Sequence, residues 1–172
     1  TTSFGWSAYR ETGLAVATGR RFGGRFDAGL EVGGRLLAIE GYGSGSAATL
    51  SAGLLAEVNE ELSFAAVWRN ANRGRISGFQ DRLAESLVLG VRLVPAVHAR
   101  AVLDFVQERG FPLETRLGAE IVPLSDLALR VGTRTEPVRP AAGFTVNVRQ
   151  WSFHYAGDLH PELGASHQFG LE

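Results

Sequence analysis

The chain has 172 residues, a formal net charge of −1, 45% apolar residues and 20% charged residues. This length fits a single domain. The charge balance excludes a polybasic nucleic-acid-binding protein and an acidic disordered tail. The absence of cysteine excludes a disulfide framework, a thiolate metal site and a cysteine nucleophile. The sequence contains 22 glycines, and its basic side chains are arginines without a single lysine. Glycine-rich, cysteine-free chains with many short apolar segments are commonly β-structures with tight turns.

Alternation of apolar and polar residues recurs along nearly the whole chain. From Phe26 to Tyr42 the even positions are mostly apolar, whereas the odd positions carry Asp27, Glu31, Arg35 and glycines. Such a period of two is typical of β-strands with one apolar face. It predicts about twelve strands, over residues 3–10, 13–22, 26–40, 47–58, 61–70, 83–93, 97–107, 112–122, 126–133, 142–149, 151–157 and 165–171.

One of these segments, residues 97–107, also fits an amphipathic helix. Ala99, Val102 and Val106 recur at helical spacing. We expect a strand because the neighbouring segments are strands and because turn signals at Pro95 and Gly110 bound the segment.

The predicted connections alternate in length along the chain. Tight turns are predicted at residues 22–25, 59–60, 94–96, 123–125 and 149–150, and longer loops at 41–45, 70–82, 108–111, 134–141 and 158–164. Short turns at one end and longer loops at the other are typical of bacterial outer-membrane barrels. Loops 70–82, 134–141 and 158–164 are therefore expected to share the extracellular end, where a partner or cargo would be met.

The two faces of the predicted strands differ in a way that favours a membrane. Apolar positions such as Leu30, Val32, Leu117, Leu129, Val146 and Phe153 are predicted to face lipid, and aromatic residues are frequent near strand ends, as in interfacial girdles. Small residues and mutually neutralising Arg and Glu side chains suit a tight lumen filled by ion pairs. The predicted lumen-facing charges are Asp27, Glu31, Arg35, Arg69, Arg92, Arg100, Asp104, Arg116, Glu120, Arg130 and Arg149.

The fold class predicted from these patterns is all-β, an antiparallel up-and-down transmembrane β-barrel of about 12 strands. The barrel forms one domain over residues 1–172. No apolar run reaches the roughly 18–20 residues that a transmembrane helix needs. A soluble barrel with its apolar face inward is the competing interpretation.

The C-terminal third carries a more specific signal. Residues 144–155 form an aromatic strand, followed by His160-Pro161-Glu162-Leu163-Gly164 and by Ser166-His167 with a hydrophobic ending at 169–171. This stretch resembles the closing strands of the PorV/PorQ-type outer-membrane proteins, which are related to the FadL fatty-acid transporters. Segments 9–12, 41–44 and 68–70 also look like that family.

The resemblance implies a non-enzymatic protein of the bacterial outer membrane. It implies either transport of hydrophobic small molecules or an accessory role in protein secretion. The partners would be membrane lipid, hydrophobic molecules and other outer-membrane or secretion proteins, with no nucleic acid. The Asn-Pro-Ala segment that opens the family is missing, which leaves two alternatives: a whole barrel or a C-terminal portion of a longer barrel. Two other functions remain open: a soluble lipocalin-like ligand-binding barrel and a structural barrel subunit of a surface assembly.

Catalytic and metal-binding motifs find little support in the sequence. His154, Asp158, His160, Glu162 and His167 are close in sequence and include metal-ligand types. The segment His160-Pro161-Glu162 is better explained as an extracellular loop, in which proline sets the turn and Glu162 is solvated. Glycines 41, 43 and 45 lack the spacing of a dinucleotide fingerprint, and no nucleophile elbow occurs. We therefore expect no catalytic residue, no metal and no cofactor.

Overall fold

The protein is described by a computed structural model that covers residues 2–6, 9–78 and 82–172. Within these residues twelve strands follow one another, and no helix occurs. The strands are β1 Thr2–Trp6, β2 Tyr9–Phe22, β3 Phe26–Ile39, β4 Gly43–Glu57, β5 Leu62–Arg69, β6 Ser86–Ala96, β7 Ala99–Glu108, β8 Glu114–Leu124, β9 Leu127–Thr135, β10 Val138–Val148, β11 Trp151–His160 and β12 Gly164–Leu171.

The strands form one antiparallel, up-and-down sheet in which each strand neighbours the next along the chain. This confirms the all-β meander predicted from the period of two. In the part of the chain that is described, β1 and β12 are the two ends of the order and the sheet is not closed into a barrel. The segment that also fits a helix is strand β7, paired with β8 from Ala99–Ile121 to Val106–Glu114.

The chain divides into two compact units. Unit 1 comprises residues 1–56, 65–88 and 108–111, and unit 2 comprises residues 57–64, 89–107 and 112–172. In unit 1, β2 pairs with β3 along its whole length, and β3 pairs with β4 from Phe26–Ala56 to Ile39–Gly43. In unit 2, β7 to β12 form a continuous series of antiparallel pairs.

Glycine makes the first long hairpin possible. β2 and β3 are joined at Gly23 and Gly24, whose φ angles of 56° and 74° lie in the left-handed region. Only glycine adopts this region without a steric penalty from a Cβ atom. Phe22 and Phe26 then face each other as the last pair of the hairpin.

Several turns lie elsewhere than the sequence predicts. Residues 9 and 10, predicted at the end of the first strand, belong to β2, where Arg10 pairs with Ala38. The predicted turn at 94–96 is part of β6, and the chain turns at residues 97–98. β8 continues through Pro123 to Leu124 with a register shift. Proline is tolerated at such strand ends and bulges, where its missing N–H removes no ladder bond.

Two predicted long loops are tight turns instead. Residues 134–141 form a strand pair around Glu136–Pro137, with Pro140 opposite Thr133. β10 pairs with β11 only from Ala141 onward, so Pro140 interrupts no ladder bond on that side. Residues 158–160 continue β11, and the chain turns at 161–163. The prediction of long loops at these two positions is wrong, because Pro137 and Pro161 lie in tight turns that are directly flanked by strands.

The connection between β5 and β6 is the longest, as predicted, and its described part lies against β4. β4 has 15 residues and β5 has 8, so part of the β4 edge extends beyond β5. The amide of Ala71 donates to the Leu50 carbonyl at 2.8 Å, and the amide of Ser77 donates to the Ser46 carbonyl at 2.8 Å. A Cβ atom at Gly74 would lie 2.1 Å from the Ala48 carbonyl oxygen, so only glycine fits this close approach.

Candidate functional site: a polar face crossed by ion pairs

Unit 2 has one polar and one apolar face, and the strand register defines both. Residues directly opposite each other on neighbouring strands share a face. We call the polar face of unit 2 the face that carries Arg100 of β7, Glu120 of β8, Arg130 of β9 and Thr145 of β10. The residues that alternate with them form its apolar face, among them Leu117, Ile121, Leu129, Val131, Phe144 and Phe153.

A chain of polar contacts crosses the polar face of unit 2 from β7 to β11. Nε of Arg100 lies 2.9 Å from Oε1 of Glu120, and Nε of Arg130 donates to Oε2 of the same carboxylate at 2.7 Å. Nη1 of Arg130 donates to Oγ1 of Thr145 at 2.7 Å, and this hydroxyl lies 2.9 Å from Nδ1 of His154. Five consecutive strands are therefore linked by side chains on one face.

A second row of charges lies on the same face, beside this chain of polar contacts. Arg139 of β10 forms an ion pair with Asp158 of β11, and Arg116 of β8 forms one with Glu114 of the same strand. Asp104 of β7 stands directly opposite Arg116. Each arginine in these pairs has an acid on its own or a neighbouring strand, so the charges largely neutralise one another on the face.

The carboxylates and Thr145 on the polar face of unit 2 are less accessible than apolar side chains of the opposite face. The side chains of Glu120 and Glu114 are 16% and 13% exposed, and Thr145 is 7% exposed. On the opposite face, Leu117 and Ile121 are 53% and 50% exposed. The arginines of the same face are more open, since the side chains of Arg100 and Arg130 are 60% and 49% exposed. The acids are thus the enclosed groups of this face, whereas in soluble proteins the enclosed groups are large apolar side chains.

Unit 1 has a comparable polar face with two separate ion pairs. Arg35 of β3 forms an ion pair with Glu11 of β2 at 2.8 Å, and this carboxylate also accepts from the Tyr9 hydroxyl at 3.0 Å. Arg21 and Asp27 form a two-bond pair at 2.8 and 2.7 Å beside the first hairpin turn. These pairs tie β2 to β3 at both ends.

Between these pairs the polar face of unit 1 forms a hollow of about 620 Å³. Glu31, Ser51 and Arg69 line it, together with glycine and alanine residues. Glu31 lies opposite Ala17 and Ser51. Among the described residues, neither Glu31 nor Arg69 has an ion-pair partner.

A cluster around Glu85 holds the connection between β5 and β6. The Glu85 carboxylate accepts from Nε1 of Trp68 at 3.0 Å and lies 3.7 Å from Nε of Arg73 and 3.5 Å from Nη1 of Arg109. The amide of Arg109 also donates to the Glu85 carbonyl. One carboxylate thus joins three separate segments of unit 1.

The structure brings together some of the predicted lumen-facing charges and separates others. Arg100, Glu120 and Arg130 form one cluster, whereas Arg35 pairs with Glu11, Asp27 with Arg21 and Arg116 with Glu114. Arg92 donates instead to the buried Ser63 hydroxyl at 3.0 Å. Arg149 lies in the turn between β10 and β11 with a φ of 57°, so it is no part of the strand ladder.

The predicted extracellular loop at 160–162 is compact. His160 is the last residue of β11, and its Nδ1 accepts from the amides of Glu162 and Leu163 at 3.1 and 3.2 Å. Pro161 and Glu162 lie in the turn itself. The imidazole therefore stabilises the turn by satisfying two backbone donors.

Sequence reasoning missed several members of the polar face. Thr145 and His154 connect Arg130 to β11, and Arg139 and Asp158 form their own pair. The signal for Thr145 and His154 was their alternation with Phe144 and Phe153. Arg139 and Asp158 fall within the predicted loops 134–141 and 158–164, so alternation along the predicted strands does not include them.

The described residues contain no group of three or more His, Asp or Glu side chains arranged to hold a metal ion. They also contain no helix that is long and apolar enough to cross a membrane. No known protein family matches the chain, and no curated protein matches it.

Proposed function

We propose that this protein is a β-barrel of the bacterial outer membrane, with its apolar faces toward lipid and its polar faces toward the lumen. The observation that supports this proposal is that the acids and Thr145 are enclosed on the polar face of unit 2, whereas large apolar side chains are open on the other face. Glu120 is 16% exposed within an ion-pair cluster, whereas Val131 on the opposite face is 62% exposed. Lipid-facing apolar residues that alternate with polar lumen residues are the arrangement of membrane barrels.

The extent of exposed apolar surface adds to this argument. In unit 1, Leu14, Val16, Leu30, Val32 and Leu54 are all between 55% and 74% exposed. Water-soluble monomers rarely expose continuous apolar patches larger than a few hundred Å². A hydrocarbon environment removes this cost, because lipid tails solvate such side chains.

Strand length is a further supporting feature. β6, β8 and β10 have 11 residues each, and β7 and β11 have 10. A tilted strand of about 9–11 residues crosses the hydrocarbon core. The barrel that we propose requires an additional pairing that closes the sheet, since open strand edges are not tolerated in lipid.

The polar faces favour an accessory role over uptake through the lumen. An apolar molecule would gain little from a lumen lined by the cluster of Arg100, Glu120 and Arg130, because it would have to displace ion pairs or the water around them. We therefore propose a non-enzymatic barrel that assists protein secretion at the outer membrane. Transport of hydrophobic small molecules is the competing role.

Fractionation of bacteria that express the chain behind an export signal tests the membrane assignment. We expect the protein in the outer-membrane fraction, resistant to extraction with alkaline carbonate and dependent on detergent for solubility. Recovery in the periplasm as a monodisperse protein without detergent would overturn the proposal in favour of a soluble lipocalin-like barrel. Uptake of a fluorescent fatty acid by cells that contain the barrel, against cells that lack it, would overturn the accessory role alone.

A further inference from the structure

The apolar face of unit 1 contains a hollow of about 530 Å³. This volume lies within the roughly 300–1,000 Å³ range of small-ligand sites. Its large side chains are Phe22, Leu30, Leu54, Trp68 and Leu87. Ala28 and Ala52 line the space between Leu30 and Leu54, since Ala28 lies opposite Leu54 and Ala52 opposite Leu30. The hollow therefore has apolar walls of the kind that accommodate a hydrocarbon chain.

One cation lies at the rim of this hollow. Arg20 lines it, and its guanidinium carbon lies 5.5 Å from the centre of the Phe22 ring. The next residue, Arg21, points to the opposite face and is paired with Asp27. Among the described residues Arg20 has no acidic partner. A cation that is placed on an apolar face without a carboxylate is complementary to an anionic ligand.

The tryptophan of the hollow is held in place. The hydrogen bond of 3.0 Å from its Nε1 to Glu85 satisfies the polar end of the Trp68 side chain, so its ring is free to offer apolar surface. Arg20 lies two residues before Phe22, the last residue of β2, and an arginine at such a strand end is typical of the lipid–water interface.

We propose that this hollow binds one anionic phospholipid, with an acyl chain against Leu30, Leu54 and Trp68 and with the phosphate on Arg20. The inference rests on the proposed function, because it requires the apolar face of unit 1 to contact lipid. It adds to that function a selective lipid site on the outer surface of the barrel.

Quenching of Trp68 fluorescence by lipids brominated on the acyl chain tests the proposal. The full chain, with Trp6→Phe and Trp151→Phe so that Trp68 is the single fluorophore, is reconstituted in phosphatidylcholine vesicles. Brominated phosphatidylglycerol or brominated phosphatidylcholine is then added at equal mole fraction. One arginine near the interface contributes about 1 kcal/mol to binding of an anionic lipid, which corresponds to about a fivefold preference for phosphatidylglycerol.

Two variants separate the specific site from general charge attraction. In Arg20→Gln the fivefold preference is expected to fall to about one. In Arg25→Gln, which removes the same charge from the adjacent turn but leaves the hollow unchanged, the preference is expected to persist. In Ala52→Phe, which fills the hollow, the preference is expected to be lost while the vesicle-bound protein remains folded by circular dichroism.

The outcomes distinguish the inference from the function on which it rests. Equal quenching by both lipids, or loss of the preference in Arg25→Gln as much as in Arg20→Gln, would overturn the lipid site and leave the barrel intact. Absence of quenching by either lipid would show that Trp68 does not contact acyl chains. That result would overturn the proposed membrane orientation as well.

Discussion

A substitution at Ala119 tests whether the apolar face of unit 2 contacts lipid or is packed in a protein core. It lies on the apolar face of unit 2, opposite Ala101 and Val131, and it is exposed. β8 runs from Glu114 to Leu124, so Ala119 is its central residue. In the proposed barrel, at a rise of about 3.3 Å per residue and a tilt of about 40°, Ala119 would lie roughly 13 Å from each end of the strand along the membrane normal. This depth would be close to the bilayer midplane.

The expected cost of Ala119→Arg is about 2–4 kcal/mol in the free energy of unfolding, because an arginine at the midplane loses its hydration. Leu124→Arg, at the end of the same strand and on an exposed residue, is expected to cost about 0–1 kcal/mol. Leu163→Arg is the control for the added charge, since Leu163 is 83% exposed and lies in the turn between β11 and β12, outside the strands. We expect it to cost less than about 1 kcal/mol.

The measurement is reversible urea unfolding of the protein in lipid vesicles, followed by tryptophan fluorescence. Ala119→Leu supplies the decisive comparison. On a lipid-facing surface a larger apolar side chain is expected to be neutral, whereas in a packed core it would cost about 1–3 kcal/mol through overpacking. A loss of that size for Ala119→Leu, or an equal cost of arginine at positions 119 and 124, would refute the assignment of this face to lipid.

Three further sets of variants test individual contacts. Glu120→Ala removes the carboxylate between Arg100 and Arg130, and we expect it to lower the free energy of unfolding in urea by about 1–3 kcal/mol. The control is Glu31→Ala, at a carboxylate without an ion-pair partner among the described residues, which is expected to change this free energy by less than about 0.5 kcal/mol. Gly74→Ala is expected to release segment 71–77 from β4, because the added Cβ atom would lie 2.1 Å from the Ala48 carbonyl oxygen. The release would be measured as faster hydrogen exchange at the amides of Ala71 and Ser77. Gly34→Ala is the control that is expected to leave exchange unchanged, since its added Cβ atom would lie 3.8 Å from the nearest neighbouring atom. Exchange of the charges between Arg139 and Asp158 in a double variant is expected to recover stability that each single reversal loses, and failure to recover it would show that the pair contributes no specific interaction.

Alternation predicts which residues share a face but not which residues are opposite each other. Glu120 and Arg130 could be assigned to the polar face from the sequence, since each alternates with leucine, isoleucine or valine. Their pairing depends on the register, and the register depends on the turns. The turn between β8 and β9 lies at residues 125–126 rather than 123–125, which is a shift that composition does not reveal.

Errors in the predicted site residues have the same origin. Arg149 continues the alternation of Thr145 and Asn147, so the period of two predicts that it lies on the polar face. The strand ends at Val148, and Arg149 adopts a left-handed turn conformation. Conversely, Arg139 and Asp158 were assigned to loops, although both are paired strand residues. Period-two counting is reliable inside a strand and fails at its ends, where turn geometry determines the direction of the side chain.

Side-chain size provides an argument about the faces that alternation does not contain. In the proposed barrel, the inner face would offer less space per residue than the outer face, so small residues would be favoured inside. In unit 2 the polar face includes Gly118, Gly132 and Gly143, and a Cβ atom at Gly143 would lie 2.6 Å from the Tyr155 carbonyl oxygen. The residues of the opposite face are larger, as at Phe144 and Phe153. A soluble barrel would need the bulky apolar side chains inside and the small polar ones outside. The combination of ion pairs with glycine on one face therefore favours a lumen on that side and lipid on the other.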